Sequence, residues 1–230
     1  MSALPLIALN KVSKRYRNAQ LVLRDITLEV DSGDLVVICG HSGAGKSTLL
    51  KLMCAIERPS EGNVVVAGQN TRALSRSSAA ILRRKFGIVF QDRKLLFDRT
   101  VFANVMLPLE ICGFERREAA RRVRAALDKV GLLSKEKAMP LTLSGGEQQR
   151  LCIARAIVHR PMALIVDEPT AHLDELRAGE IVDMLRAFHQ LGAAVVLSTH
   201  DAALAARLRG RAVVLEAGAL AAHAQPPAIA

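Results

Sequence analysis

Residues 40–48, GHSGAGKST, stand between an apolar run, LVVIC, and a stretch with helical spacing, STLLKLMCAI. A chain with this junction has little freedom in what it can build. Gly40, Gly43, Gly45, Lys46 and Ser47 fit the spacing G-x-x-x-x-G-K-[ST], in which the glycines let the backbone curl round a triphosphate. His41, Ser42, Ala44 and Thr48 complete the loop and its exit into the helix. Lys46 is expected to reach the β- and γ-phosphates, and Ser47 to offer its hydroxyl to Mg²⁺. LVVIC is apolar throughout, as in a strand buried on both faces. The loop therefore joins a central strand to a helix.

Further polar residues follow apolar runs that such a sheet would place nearby. Asp167 ends ALIV, where it would help to hold Mg²⁺. Glu168 follows directly, and a second carboxylate facing the γ-phosphate would orient and deprotonate water. His200 closes VVLSTH at the carboxyl edge of the sheet, where ligands of open α/β folds bind, although a lone histidine after a strand also reads as structural. Gln91 after GIVF is unremarkable by itself. Tyr16, the one tyrosine, would either stack on an adenine ring or cover the core from a loop.

A second anion site raises a different question. In LSGGEQQR, residues 143–150, Ser144, Gly145 and Gly146 precede a helical run over 147–158. A glycine-rich helix start offers free N–H groups and a positive dipole end. One nucleotide does not need both cradles. The second makes sense when it faces the nucleotide of another copy, in a two-fold pair that sandwiches two nucleotides. Binding of the γ-phosphate would close the pair and hydrolysis would release it.

Elsewhere the chain alternates. ITLEV (26–30) and GNVVVAG (62–68) read as strands, and REAARRVRAALDKVGL as a helix that buries Ala119, Val123, Ala126, Leu127 and Val130, with Gly131 as its C-terminal cap. Buried strands return at ALIVDE and AVVLSTH around a helix over 178–190. This order predicts a largely parallel α/β sheet with an inserted helical sub-domain over about 92–160. No apolar run approaches the roughly 18 residues of a membrane span, and the N-terminus makes a poor secretory signal, so a soluble protein is expected. The four cysteines form no C-x-x-C pair and read as buried hydrophobes in a reducing compartment. The Ala/Pro-rich tail from 217 is expected to fray, which ends the domain at about 218. Net charge is +10, and residues 72–124, with thirteen Lys/Arg against five Asp/Glu, hold most of it. Such a segment suits an anionic membrane surface or a nucleic-acid backbone, or is simply solvated helix.

LSGGEQQR resembles the signature motif of the ABC ATPases, and the other motifs fall in that family's order. Tyr16 precedes the first core strand; the phosphate loop, Gln91, the signature, Pro161, Asp167-Glu168, a D-loop ending in Leu173-Asp174 and His200 follow. The resemblance covers residues 5 to about 220. It implies a P-loop NTPase of the ABC type, with a mainly parallel core sheet, an antiparallel β edge and the helical sub-domain. It further implies MgATP hydrolysis by a homodimer, in which Ser144 and Gly146 contact the γ-phosphate in trans. It makes Tyr16, Gln91 and His200 site residues, Gln91 also toward the metal.

GHSGAGKSTLLKLMCAIERPSEG, VFQDRKLLFDRTVFANVMLPL and ALDKVGLL are similar to the bacterial cell-division branch of that family, the FtsE type. This narrower resemblance implies a place on the cytoplasmic face of the cell membrane at the division site. There an FtsX-like integral membrane subunit would transmit ATP-driven motion to cell-wall hydrolases. The D-loop departs from it, with His172 where a smaller or amide residue is expected, as does the tail. An exporter or lipoprotein-releasing ATPase is the nearest rival. A DNA-maintenance ATPase is a more distant one, since the gap between the two cradles holds no sustained heptads and no specific nucleic acid is expected. Leu95, Leu96, Phe97, Val101, Phe102 and Val105 offer an apolar stretch, part core and part groove for the membrane subunit. Arg83, Arg84, Arg116 and Arg117 would face anionic lipid.

Overall fold

The computed structural model describes residues 4–16, 20–171 and 173–221. Two sheets share its interior. The larger has six strands in the order β10-β9-β3-β8-β7-β6. Its central members are β3 (Leu35–Cys39), β8 (Ala194–Thr199) and β7 (Ala163–Asp167), flanked by β6 (Phe86–Val89) and β9 (Arg211–Glu216). These five run parallel. Every residue of β7 and β8 is buried, which is why those strands read as unbroken apolar runs. Successive residues serve opposite faces: Val37, Leu164, Val166, Val195 and Leu197 face one core, while Val36, Ile38, Ile165 and Val196 face the other.

The second core lies against the smaller, antiparallel sheet. Its order is β2-β1-β4-β5, from β1 (Ile7–Arg15), β2 (Leu21–Val30), β4 (Glu61–Val66) and β5 (Gln69–Asn70). This sheet is a separate antiparallel layer, and the core sheet also has the expected antiparallel edge, at residues 219–220. Between the two sheets sits α1 (Lys46–Met53), which buries Leu49, Leu50, Leu52 and Met53.

After α2 (Arg76–Arg83) and β6, the helical sub-domain is built from α3 (Val101–Ile111), α4 (Arg116–Lys129) and α5 (Gly145–Ile157), which pack on one another. Ala119, Val123, Ala126, Leu127 and Val130 are all buried, as the spacing predicts. Gly131 takes φ 67° beyond the cap, and the Gly131 and Leu132 N–H groups close the helix on Asp128 O and Leu127 O. Two further helices flank β8 in the chain, α6 (Glu175–Gln190) before it and α7 (Ala202–Leu208) after it.

The chain does not fray at 217. Ala217 and Gly218 turn it with positive φ, and β10 (Ala219–Leu220) pairs antiparallel with Glu216 and Leu215 of β9. Gly218 O accepts from Arg24 N, so the turn is pinned to β2. Residues 222–230 of the tail lie outside the described residues. Cys54 and Cys152 are buried as expected, whereas Cys39 and Cys112 are half-buried; all four are free thiols. Among the described residues, no helix is long and apolar enough to cross a membrane.

Candidate functional site

Parallel strands deliver their carboxyl ends to one edge, and register decides which residues meet there. Cys39 lies opposite Thr199, and Asp167 opposite Ser198. The phosphate loop after β3, the acidic pair at the end of β7 and His200 after β8 therefore form a row. Gly40 is obligatory in that row, because a Cβ there would come 2.3 Å from Leu215 O of β9. Gly45 caps α1 at φ 105°, a left-handed backbone that side chains resist. His41, Ser42 and Gly43 are exposed at the loop's apex, with Ala44 buried beneath them. The Glu216–Ala217 turn walls that apex, a neighbour that no motif announced.

Lys46 is buried and folded back over the loop. Its Nζ donates to Gly40 O at 2.8 Å and His41 O at 3.1 Å, and lies 3.1 Å from Glu168 Oε1. The other Glu168 oxygen, Oε2, meets His200 Nδ1 at 2.8 Å. Glu168 is thus held at both oxygens, by Lys46 at the start of α1 and by His200 after β8, with 9% of its side chain exposed. Its backbone has φ 47°. Asp167, also buried, accepts at Oδ1 from the Ser198 hydroxyl at 2.6 Å. Ser198 is a site residue that the motif reading passed over.

Ser47 and Asp167 line one small recess together with Phe90. A hydroxyl and a carboxylate oxygen are hard donors of the kind Mg²⁺ takes, along with phosphate and water, and the donor set fits that ion. Gln91 follows Phe90 at the same edge and is exposed. No hydrogen bond or ion pair among the described residues joins it to the acidic pair. Tyr16 stands beside the start of α1, its OH 3.4 Å from Thr48 Oγ1, with 37% of the residue exposed. Lys14 Nζ lies over the ring, 5.0 Å from its centre.

The second cradle is built on α5. Ser144 is its N-cap: Oγ accepts from Glu147 N at 3.3 Å, and Glu147 Oε2 accepts from Ser144 N at 3.0 Å. Lys135 Nζ grips the other Glu147 oxygen at 2.6 Å. That bond first, then the Ser144 N–H, holds the Glu147 carboxyl below its usual range. Gly145 is exposed and Gly146 is buried; both lie in the first turn, whose N–H groups have no intrahelical partner. Arg93 and Arg177 flank these glycines. Among the described residues, no hydrogen bond or ion pair links 144–146 to the loop at 40–48. His172 of the D-loop lies outside the described residues.

The apolar stretch after Gln91 divides. Leu95, Val101 and Val105 are core and cannot line a groove. Leu96 and Phe102 are half-buried, and Phe97 is exposed. Arg83 is no free surface cation, since it donates to Ala55 O at 2.9 Å; Arg84, Arg116 and Arg117 are exposed.

Comparison with known proteins places this geometry. The ABC transporter family model matches residues 23–171. The cell division ATP-binding protein FtsE of Escherichia coli (strain K12) is 46% identical over 215 residues, 94% of this chain and 97% of that protein. FtsE of Haemophilus influenzae (strain ATCC 51907 / DSM 11121 / KW20 / Rd) is 43% identical over 216 residues, 94% of this chain and 99% of that protein. A dimeric post-hydrolysis structure of the ATP-binding cassette MJ0796, bound to ADP and Pi, superposes with a TM-score of 0.89 at 31% identity, covering 97% of this chain and 100% of that one. With 40–48, the acidic pair and His200 on one sheet edge and the signature on its own helix, the chain belongs to the ABC transporter family, as one of its ATPase domains.

Proposed function

We propose that this ATPase drives a membrane-associated complex in bacterial cell division, as a homodimer that works with an FtsX-like integral membrane subunit. The run from Lys46 through Glu168 to His200 carries the catalytic assignment. ATP lies along residues 40–48, with Tyr16 against the adenine and Lys46 toward the β- and γ-phosphates. Ser47, Asp167 and Gln91 would hold Mg²⁺, which would neutralise phosphate charge. Glu168, steadied at both oxygens, takes the proton of the attacking water, and His200 orients it.

Ser144, Gly145 and Gly146 close on the partner's γ-phosphate, which accounts for a cradle with no bond to the loop of its own chain. Leu96, Phe97 and Phe102 support a docking surface for the membrane subunit. Arg84, Arg116 and Arg117 support attraction to the anionic cytoplasmic leaflet, at about 1 kcal/mol per cation near that surface. In this reading motion passes through the FtsX-like subunit to cell-wall hydrolases, and no nucleic acid is bound specifically.

Depletion of the chain in its own cells tests the reading. Filamentous, undivided cells are expected, rescued by the wild type but not by Glu168→Gln. Normal division together with failure of lipoprotein release or solute export would assign it to a transporter instead.

A further inference from the structure

We propose that Ser198 is a positioning residue for both carboxylates of the ATPase site, and through Asp167 for the metal. Ser198 sits on β8 with none of its surface exposed, directly opposite Asp167 in the parallel ladder. Its hydroxyl has one proton and two lone pairs, and both kinds of partner are supplied. The Glu168 N–H donates to Ser198 Oγ at 3.1 Å, while the hydroxyl proton goes to Asp167 Oδ1 at 2.6 Å. The backbone N–H can only donate and a carboxylate oxygen can only accept, so the direction of both bonds is settled.

Each bond does separate work. The bond to Asp167 commits Oδ1 to the protein and leaves Oδ2 for a cation, fixing the carboxylate plane. The bond from the Glu168 N–H supports that residue where its backbone is least comfortable. Glu168 has φ 47°, a left-handed conformation that residues with a side chain resist. The ladder bond from Glu168 N to Ser198 O, at 3.2 Å, is long; the hydroxyl shares that N–H and secures it. That backbone aims the Glu168 side chain at Lys46 and His200. A serine inside an apolar strand thus ties the metal-side carboxylate to the water-side one. The inference rests on the assignment of Asp167 to the metal.

The test uses the purified full chain with a non-hydrolysable ATP analogue and Mn²⁺ as the probe, its affinity read by electron paramagnetic resonance. Outer-shell partners of metal ligands are typically worth about 10–100-fold in affinity. Ser198→Ala is expected to weaken Mn²⁺ by about that factor, while affinity for the analogue in EDTA stays at the wild-type value. A purely packing role would lower the melting temperature and leave Mn²⁺ affinity alone. Wild-type Mn²⁺ affinity in Ser198→Ala, with Asp167→Asn losing it, overturns the positioning role and leaves the metal site standing. Wild-type affinity in Asp167→Asn removes the metal assignment itself. If Ser198→Ala does not fold, Ser198→Cys keeps the volume with only a weak S–H donor. That variant is expected to bind Mn²⁺ more weakly than wild type, and equal binding overturns the proposal.

Discussion

Lys46 and Glu168 touch each other, yet they belong to different steps. Lys46→Ala removes a phosphate contact and should weaken ATP binding. Glu168→Gln keeps the shape and the Lys46 and His200 contacts but loses the basic oxygen, so it should bind ATP normally and hydrolyse it about 10²–10⁴-fold more slowly. Equilibrium binding and single-turnover hydrolysis on both variants separate the two; a normal rate in Glu168→Gln removes the assigned base. Glu147 makes a second prediction, about acid. Its carboxyl is held below the ordinary range by Lys135 and the Ser144 N–H. With the folded pKa depressed, the stabilisation is present above the unfolded value of about 4.3 and is lost as pH falls through the folded one. Glu147→Ala should therefore destabilise the fold near neutral pH and lose that deficit as the carboxyl is protonated in acid. Melting curves from neutral pH down to about pH 3 check this, and a deficit that persists in acid would contradict it. At this scale the sequence was most legible where residue type and spacing both carry the chemistry, as in Gly40–Ser47 and Asp167-Glu168. Ser198 was hidden because a serine in a strand has no spacing signature. Its role exists only through the register of β7 against β8.

Among elements, helical spacing marked α1, α4, α5 and α6 but not α2 or α7, and it could not divide the stretch from Leu95 to Val105 between core and surface. Apolar character is the same on both sides of that line; only the packing of α3 on α4 and α5 draws it. Asn104 shows how. It is fully buried in α3 and uses its amide to hold the preceding loop, accepting from Leu96 N at 2.9 Å and donating to Leu96 O at 2.9 Å. It also donates to Arg99 O and Thr100 O at 3.1 and 3.0 Å. The loop is fixed with Leu95 turned into the core and Phe97 outward, 45% exposed. Leu109→Ala in α3, at a position with no exposed surface, should cost about 2–5 kcal/mol in urea unfolding. Phe97→Asp should change stability by no more than about 0.5 kcal/mol and leave basal hydrolysis unchanged, yet release the chain from vesicles carrying the FtsX-like subunit. If Phe97→Asp still co-sediments with those vesicles, the docking surface lies elsewhere. β10 was illegible for a related reason. Two residues in an Ala/Pro-rich tail carry no strand pattern, and they form a strand because β9 offers an edge and Arg24 N holds the turn at Gly218.

For the whole molecule, the question is why one chain carries two cradles at the starts of two helices, α1 and α5. In the proposed dimer each chain would hold half of a composite site at each: the loop at 40–48 with its acidic pair in one, the capped start of α5 in the other. A two-fold pair makes two such sites, each drawing its halves from different chains. Ser144→Arg fills the second cradle with a bulky cation, and Lys46→Ala disables the first. Homodimers of either variant have two defective sites and should be inactive. In a heterodimer both lesions fall on one composite site, since the Lys46→Ala loop faces the Ser144→Arg helix of its partner. The other site then has an intact loop and an intact α5. Mixing the two proteins should therefore restore a fraction of wild-type hydrolysis, greatest at equal amounts and falling as either is in excess. Were both cradles to serve one nucleotide within one chain, every chain in the mixture would still be defective, and no ratio would restore activity. The mixing curve decides between these two arrangements, and a flat line at the level of the separate variants would end the trans reading.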